Sequence, residues 1–180
     1  MLKIKKKIII IGSYMVGKTA ILNKFIHHKF IHDYKSTMGV NIMSKEYMYE
    51  EFNTELTFLI WDIGGQNLFQ SMWKRFYNKA EAAIIVFDIT RRNTFDAIKD
   101  WYSSILINLG QKVPIVLIGN KKDLVEKRIV KTPEGKSLSD ELRIEFLETS
   151  AKTGENIDLI FNNIGKKLLM SIETIQENIK

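Results

Sequence analysis

The feature that most constrains the fold is a junction near the N-terminus. Four consecutive isoleucines, Ile8 to Ile11, run straight into G-S-Y-M-V-G-K-T, residues 12–19. An unbroken apolar run of this kind suits a strand covered on both faces. Gly12, Gly17, Lys18 and Thr19 then fill the fixed positions of a G-x-x-x-x-G-K-[ST] loop, which needs a strand before it and a helix after it. Ile21, Leu22, Phe25 and Ile26 supply the apolar stripe of that helix. Strand, loop and helix in this order commit the chain to a parallel α/β architecture.

The rest of the chain repeats the pattern without a linker or an internal repeat. Residues 40–49 and 55–62 read as two strands joined by the polar turn E-E-F-N-T-E. In the second, Leu56, Phe58 and Ile60 alternate with Thr57, Leu59 and Trp61 across two faces. A-A-I-I-V-F-D at 82–88 and P-I-V-L-I-G-N at 114–120 are further buried strands, with a helix between them spaced by Phe95, Ile98, Tyr102 and Ile105. I-E-F-L-E-T-S, from Ile144, gives a last strand. The closing helix repeats at Ile157, Ile160, Phe161, Ile164 and Leu168. The expected fold is α/β: a six-stranded, mostly parallel sheet with one antiparallel edge strand and helices on both faces.

Composition narrows the class. At 180 residues and 45% hydrophobic, residues 1–180 are expected to form one compact domain. No apolar run approaches the roughly 18 residues of a membrane span. The stretch M-L-K-I-K-K-K-I-I-I-I-G is too short in its apolar part for a signal peptide and reads as a buried strand with lysines ahead of it. The sequence has no cysteine, which excludes disulfides, thiolate metal sites and prenylation within these residues. A cytoplasmic location is the natural expectation. The net charge of +6 is modest. Lys3, Lys5, Lys6 and Lys7 lack the interleaved aromatics of a nucleic-acid site, so no nucleic acid is expected. His27, His28 and His32 have no carboxylate cluster around them and carry no metal assignment.

Chemistry should collect in the loops that leave the carboxyl ends of the strands. In the 12–19 loop, successive backbone N–H groups and a helix N-terminus can wrap an anion, and Lys18 adds a point charge for the outer phosphates. The Thr19 hydroxyl is placed to ligate Mg²⁺. N-K-K-D at 120–123 follows a strand directly. The carboxylate of Asp123 can accept from both N1–H and the exocyclic amine of guanine, a donor pair that adenine lacks. Asn120 can brace the loop, and the stem of Lys121 can cover a base face. In T-S-A-K at 149–152, the Ala151 N–H can read guanine O6. D-I-G-G-Q ends a strand with Asp62, suited to Mg²⁺ through water, and its glycines let a backbone N–H approach the γ-phosphate. F-I-H-D-Y-K-S-T-M-G, from Phe30, supplies Thr37, whose hydroxyl can complete the metal shell when GTP is bound.

With these motifs in order, the chain resembles the Ras superfamily of small GTPases over nearly its whole length, and the Rab branch most. S-T-M-G-V-N-I at 36–42 is similar to the Rab S-T-I-G-V-D-F. A-A-I-I-V-F-D-I-T at 82–90 is similar to A-I-I-V-Y-D-I-T, and F-L-E-T-S-A-K-T-G-E-N-I at 146–157 to the closing Rab motif. The resemblance implies a monomeric GDP/GTP switch with Mg²⁺ that hydrolyses GTP, served by an exchange factor and a GTPase-activating protein. It implies a role in membrane trafficking or signalling through effectors. Lys18 would bind the β- and γ-phosphates, Thr19 and Thr37 the metal, and Asp62 the metal through water. Gln66 would orient the attacking water, making it and Lys18 the catalytic pair. Phe30 aligns with the aromatic that lies edge-on against guanine. Ser13, Tyr14, Met15, Val16, Gly17, Ala20, Tyr34, Gly65, Ser150 and Lys152 complete the implied nucleotide contacts. Partners would meet residues 30–42, Trp61 and 66–77.

The departures set expectations of their own. Rabs usually carry Thr-Ala before Gly-Gln; here Ile63 and Gly64 stand there, as in the Arf branch, and Asn67 replaces the usual Glu. The aromatic triad by which Rabs meet effectors aligns with Ile42, Trp61 and Phe76. Trp61, on the face opposite Leu56, Phe58 and Ile60, is expected to be an effector contact rather than a core residue. The Cys-bearing tail of Rabs is absent from these residues, so membrane association would need a tail or a partner. Tyr14 stands where Ras-like proteins carry a small residue bordering the γ-phosphate. It is expected to swing outward over the nucleotide and crowd both the attacking water and an arginine finger. Two readings follow: a switch timed by hydrolysis, favoured by Gln66, and a GTP-holding scaffold with little turnover, favoured by Tyr14.

Overall fold

The computed structural model describes residues 1–30, 37–65 and 73–178; Tyr34, Gln66 and Asn67 lie outside the described residues. The strands are β1 (Leu2–Ile11), β2 (Val40–Tyr49), β3 (Thr54–Ile63), β4 (Ala82–Asp88), β5 (Ile115–Asn120) and β6 (Glu145–Glu148). The helices are α1 (Lys18–His27), α2 (Trp73–Tyr77), α3 (Arg92–Asp96), α4 (Ile98–Leu109), α5 (Thr132–Leu142) and α6 (Ile157–Asn178). The strands form one six-stranded sheet in the order β2-β3-β1-β4-β5-β6. Every neighbouring pair is parallel except β2 and β3, which run antiparallel from Val40 opposite Ile63 to Tyr49 opposite Thr54.

The isoleucine run explains the layering. Successive strand residues point to opposite faces, so Ile8 and Ile10 enter one core while Ile9 and Ile11 enter the other. The first core gathers Leu56, Phe58 and Ile60 of β3 against Ile21, Leu22 and Phe25 of α1 and Ile160, Phe161 and Ile164 of α6. Phe25 stacks on Phe161 at 3.7 Å between centroids, and Phe58 meets both rings edge-on. The second core sets Ile85, Phe87 and Leu117 against Tyr77, Ile98, Trp101, Ile105 and Leu138. Burial of each such side chain contributes about 1.5–3 kcal/mol. Both faces of the parallel strands are therefore covered.

Four local differences from the sequence reading have physical causes. Strand β1 starts at Leu2, because Lys3 and Lys6 are neutralised by Glu55 at 2.8 Å and Glu81 at 2.5 Å instead of fraying into solvent. The helix spaced by Phe95 to Ile105 is divided at Ala97. Short α2 was not anticipated. Nor was α5, where the sequence T-P-E-G-K-S-L-S-D-E-L lacks an apolar stripe. It is built from its N-terminus instead: Pro133 sits in the first turn, and Glu134 accepts from the Lys131 N–H at 2.9 Å. Among the described residues, no helix is long and apolar enough to cross a membrane.

Candidate functional site

Strands β1, β3, β4 and β5 deliver Gly12, Asp62, Asp88 and Asn120 to one edge of the sheet. The loop after β1 packs closely on its neighbours. Gly17 has φ +98°, and a Cβ there would lie 2.3 Å from Asn120 Nδ2, so the position requires glycine. Lys18, 6% exposed, donates to the carbonyls of Gly12 at 2.8 Å and Ser13 at 3.1 Å. Burial lowers its pKa to about 8, and the Arg91 charge works in the same direction while Asp62 opposes both. An anion brought to this ammonium would restore the charge that burial penalises. Val16 is buried in the first core, leaving its backbone to the loop.

The residues expected at the metal come together. Thr19 Oγ1 donates to Asp62 Oδ2 at 2.5 Å, the Thr19 and Thr37 hydroxyls are 2.8 Å apart, and Thr37 Oγ1 reaches Asp62 Oδ2 at 3.4 Å. Asp62 is fully buried, which raises its carboxyl pKa against the Thr19 hydroxyl, the Lys18 charge and the Thr37 hydroxyl. Its Oδ1 has no hydrogen-bond partner among the described residues. A buried acceptor left unpaired costs on the order of 1–3 kcal/mol. An all-oxygen donor set of one carboxylate and two hydroxyls fits a hard divalent cation such as Mg²⁺. The glycines after Asp62 lie against backbone on both sides. Gly64 N–H donates to Gly39 O at 2.9 Å, and a Cβ on Gly64 would sit 2.6 Å from Thr37 O. A Cβ on Gly65 would sit 2.5 Å from Gly12 O. A narrow cleft is bounded by Tyr14, Met15, Lys18, Thr19, Thr37 and Gly65. Tyr14, 38% exposed, stands at its rim.

Beside this cleft lies a cavity of about 350 Å³, whose walls include Ala20, Phe30, Asn120, Lys121, Asp123, Leu124, Ala151 and Lys152, with Met15 and Gly17 joining it to the first loop. Asn120 braces that loop as expected, its Nδ2 donating to Val16 O at 2.9 Å. Its Oδ1 accepts from Thr149 Oγ1 at 3.1 Å and from Ala151 N–H at 3.2 Å. The Ala151 amide is thus engaged by Asn120, through a long bond already shared with Thr149. The Ser150 hydroxyl donates to Asp123 Oδ1 at 2.6 Å and orients that carboxylate.

Some participants escaped the sequence reading. Leu124 walls the cavity, and only its place after Asp123 hinted at this. Asp88 is fully buried beside Lys121 and Arg91, and a carboxylate ending the apolar run A-A-I-I-V-F-D was the available signal. Trp61 lies on the expected face of β3. It faces away from Leu56, Phe58 and Ile60 but is half-buried against the second core, with Lys7 Nζ 3.7 Å over its ring. Ile42 pairs with it across the hairpin and is exposed, whereas Phe76 packs on the second core.

Comparison with known proteins agrees with this geometry. The family model described as "Ras family" matches residues 7–170. The chain is 36% identical over 170 residues to the Ras-related protein RabJ of Dictyostelium discoideum, covering 94% of this chain and 66% of that protein, so it spans less than two thirds of this relative's length. The six-stranded sheet, parallel but for one antiparallel pair and flanked by helices, is that of a Ras-like P-loop GTPase fold. The chain belongs to the Ras family.

Proposed function

We propose that this chain is a guanine-nucleotide switch that binds GTP and GDP with Mg²⁺ and slowly hydrolyses GTP to GDP and phosphate, acting in a Rab-like way through effectors. The observation that carries the reading is the cavity beside the cleft. Asp123, Ala151 and Asn120 line it, and Gly17 joins it to the loop that bears Lys18. A carboxylate oriented by Ser150 offers a base site two acceptor oxygens, which suits guanine and leaves adenine without a matching donor pair.

In this reading Phe30 and the Lys121 stem flank the base, and the backbone of residues 13–19 with Lys18 holds the phosphates. Thr19 and Thr37 would hold Mg²⁺ directly, and Asp62 through water. Mg²⁺, when bound, neutralises charge on the outer phosphates. Gln66 orients the attacking water, a role supported by the D-I-G-G-Q motif. Tyr14 at the cleft rim narrows the approach of an activating arginine, favouring slow turnover. Residues 1–180 serve as one G domain, since both cores share one sheet. Exchange factor, activating protein and effectors would meet residues 30–42, Trp61 and 66–77, with the protein monomeric and cytoplasmic, and peripheral at membranes only through a tail or a partner. Single-turnover GTP hydrolysis with and without cell extract tests the reading. The expected result is slow intrinsic turnover that depends on Mg²⁺; no bound guanine nucleotide would overturn it.

A further inference from the structure

Asp88 ends β4 at the same sheet edge as Asp62 and Asn120, yet none of the roles above uses it. Its carboxylate is wholly buried and fully engaged. Oδ1 accepts from the Thr90 N–H at 2.9 Å and the Thr90 hydroxyl at 2.7 Å. Those contacts alone would satisfy an aspartate that merely closes a turn. Oδ2 has other partners: Lys121 Nζ at 2.7 Å and Arg91 Nε at 3.0 Å. Arg91 continues the chain of contacts, its Nη2 donating to the carbonyl of Tyr14 at 2.8 Å. One buried oxygen therefore holds a cation that walls the base cavity and a cation that grips the phosphate loop.

The loop gives a reason for the grip. Met15 adopts φ +62°, a left-handed conformation unfavourable for a side chain of its size. The carbonyls on either side of it are both held from outside the loop, Tyr14 O by Arg91 and Val16 O by Asn120. Both ties lead back to the base loop, one directly and one through Asp88. Burial pushes the Asp88 carboxyl up, but the Lys121 and Thr90 hydrogen bonds outweigh it and keep the group ionised.

We propose that Asp88 is a positioning residue for nucleotide retention: through Lys121 and Arg91 it fastens the base loop and the phosphate loop into one unit. The proposal rests on the guanine-nucleotide reading above. Release of a fluorescent GDP analogue into excess GDP tests it. Asp88→Asn keeps the side-chain shape and removes the charge, and should speed release about tenfold, the scale of one charge-assisted hydrogen bond. Arg91→Ala should speed it about fivefold in the wild-type background and less than about twofold in Asp88→Asn, because the arginine has already lost its anchor. A role confined to the Thr90 turn predicts independent, multiplying effects, and that outcome overturns the proposal. Should Asp88→Asn fail to fold, Arg91→Ala decides alone: its side chain is partly exposed, and unchanged release overturns the proposal. Failure of the wild type to retain the analogue overturns the nucleotide reading and this proposal together. Retention with unchanged variants overturns this proposal only.

Discussion

Around the base cavity, the polar side chains satisfy one another. Thr149 and Ala151 donate to Asn120, Asn120 donates to Val16, and Ser150 donates to Asp123. On the metal side the accounting is incomplete: Asp62 Oδ1 is buried without a partner, and Lys18 carries a charge that burial disfavours. In the first region, protein groups alone supply these partners. The second reaches electrostatic balance only with anion and cation in place. Such a division suits a switch. The satisfied half should hold diphosphate and triphosphate alike, and the unbalanced half should distinguish them.

The most damaging way to test this contrast is to break the base side. Asp123→Asn should weaken GTP and GDP equally, by about 10³-fold, since a bidentate contact to a charged group is lost. It should also admit xanthosine triphosphate, whose C2 carbonyl wants a donor. Nucleotide competition reads both effects, and ATP displacing GDP from the wild type as well as GTP does would refute the base assignment. At the rim of the cleft, Tyr14→Gly should raise activator-stimulated turnover by about 10²-fold or more, given that arginine-finger stimulation spans about 10³- to 10⁵-fold. Nucleotide affinity should barely move. Fast wild-type hydrolysis, unaltered by the substitution, removes the argument.

Thr37→Ala sharpens the contrast from the metal side. It should leave GDP affinity nearly intact and weaken the GTP–Mg²⁺ form about tenfold, the scale of one hydroxyl contact. Equal protease protection of residues 30–41 with GDP and with a GTP analogue would count against a switch. The smallest effect is expected at Gly64→Ala. An added Cβ 2.6 Å from Thr37 O must push that segment aside, costing about fivefold in triphosphate affinity, the low end of the overpacking scale. A loss shared equally by GDP would show that the glycine serves the fold at large.

The sequence made the strand ends legible because apolar runs such as A-A-I-I-V-F-D stop at polar residues, and those stops are where Asp62, Asp88 and Asn120 lie. Lys18, Thr19 and Asp62 could be grouped because they lie at the carboxyl ends of neighbouring parallel strands, whereas Thr37, ahead of the antiparallel edge strand, joined them through motif order and family resemblance. Other features had no comparable signal. Helix α5 buries Gly135, Leu138 and Ser139, a face too small and polar to register as a stripe. Trp61 was placed on the correct face, but cover by the second core and by Lys7 depends on tertiary packing. The Asp88–Arg91–Tyr14 connection joins residues 77 apart through a side chain and a carbonyl, which no local pattern reveals.

The paired glycines after Asp62 have a consequence for how sharply the site responds. A glycine surrenders more backbone freedom on being fixed than alanine does, by roughly 0.5–1 kcal/mol. Two in succession therefore tilt the balance toward the loosened arrangement by about 5- to 30-fold in population. Yet the seated arrangement, with Gly64 on Gly39 and Gly65 on the phosphate loop, leaves no room for a Cβ at either position. Close seating and a bias toward release thus arise from the same missing methyl groups. A ligand that fixed Gly64 and Gly65 would have to overcome this backbone entropy in addition to making its own contacts.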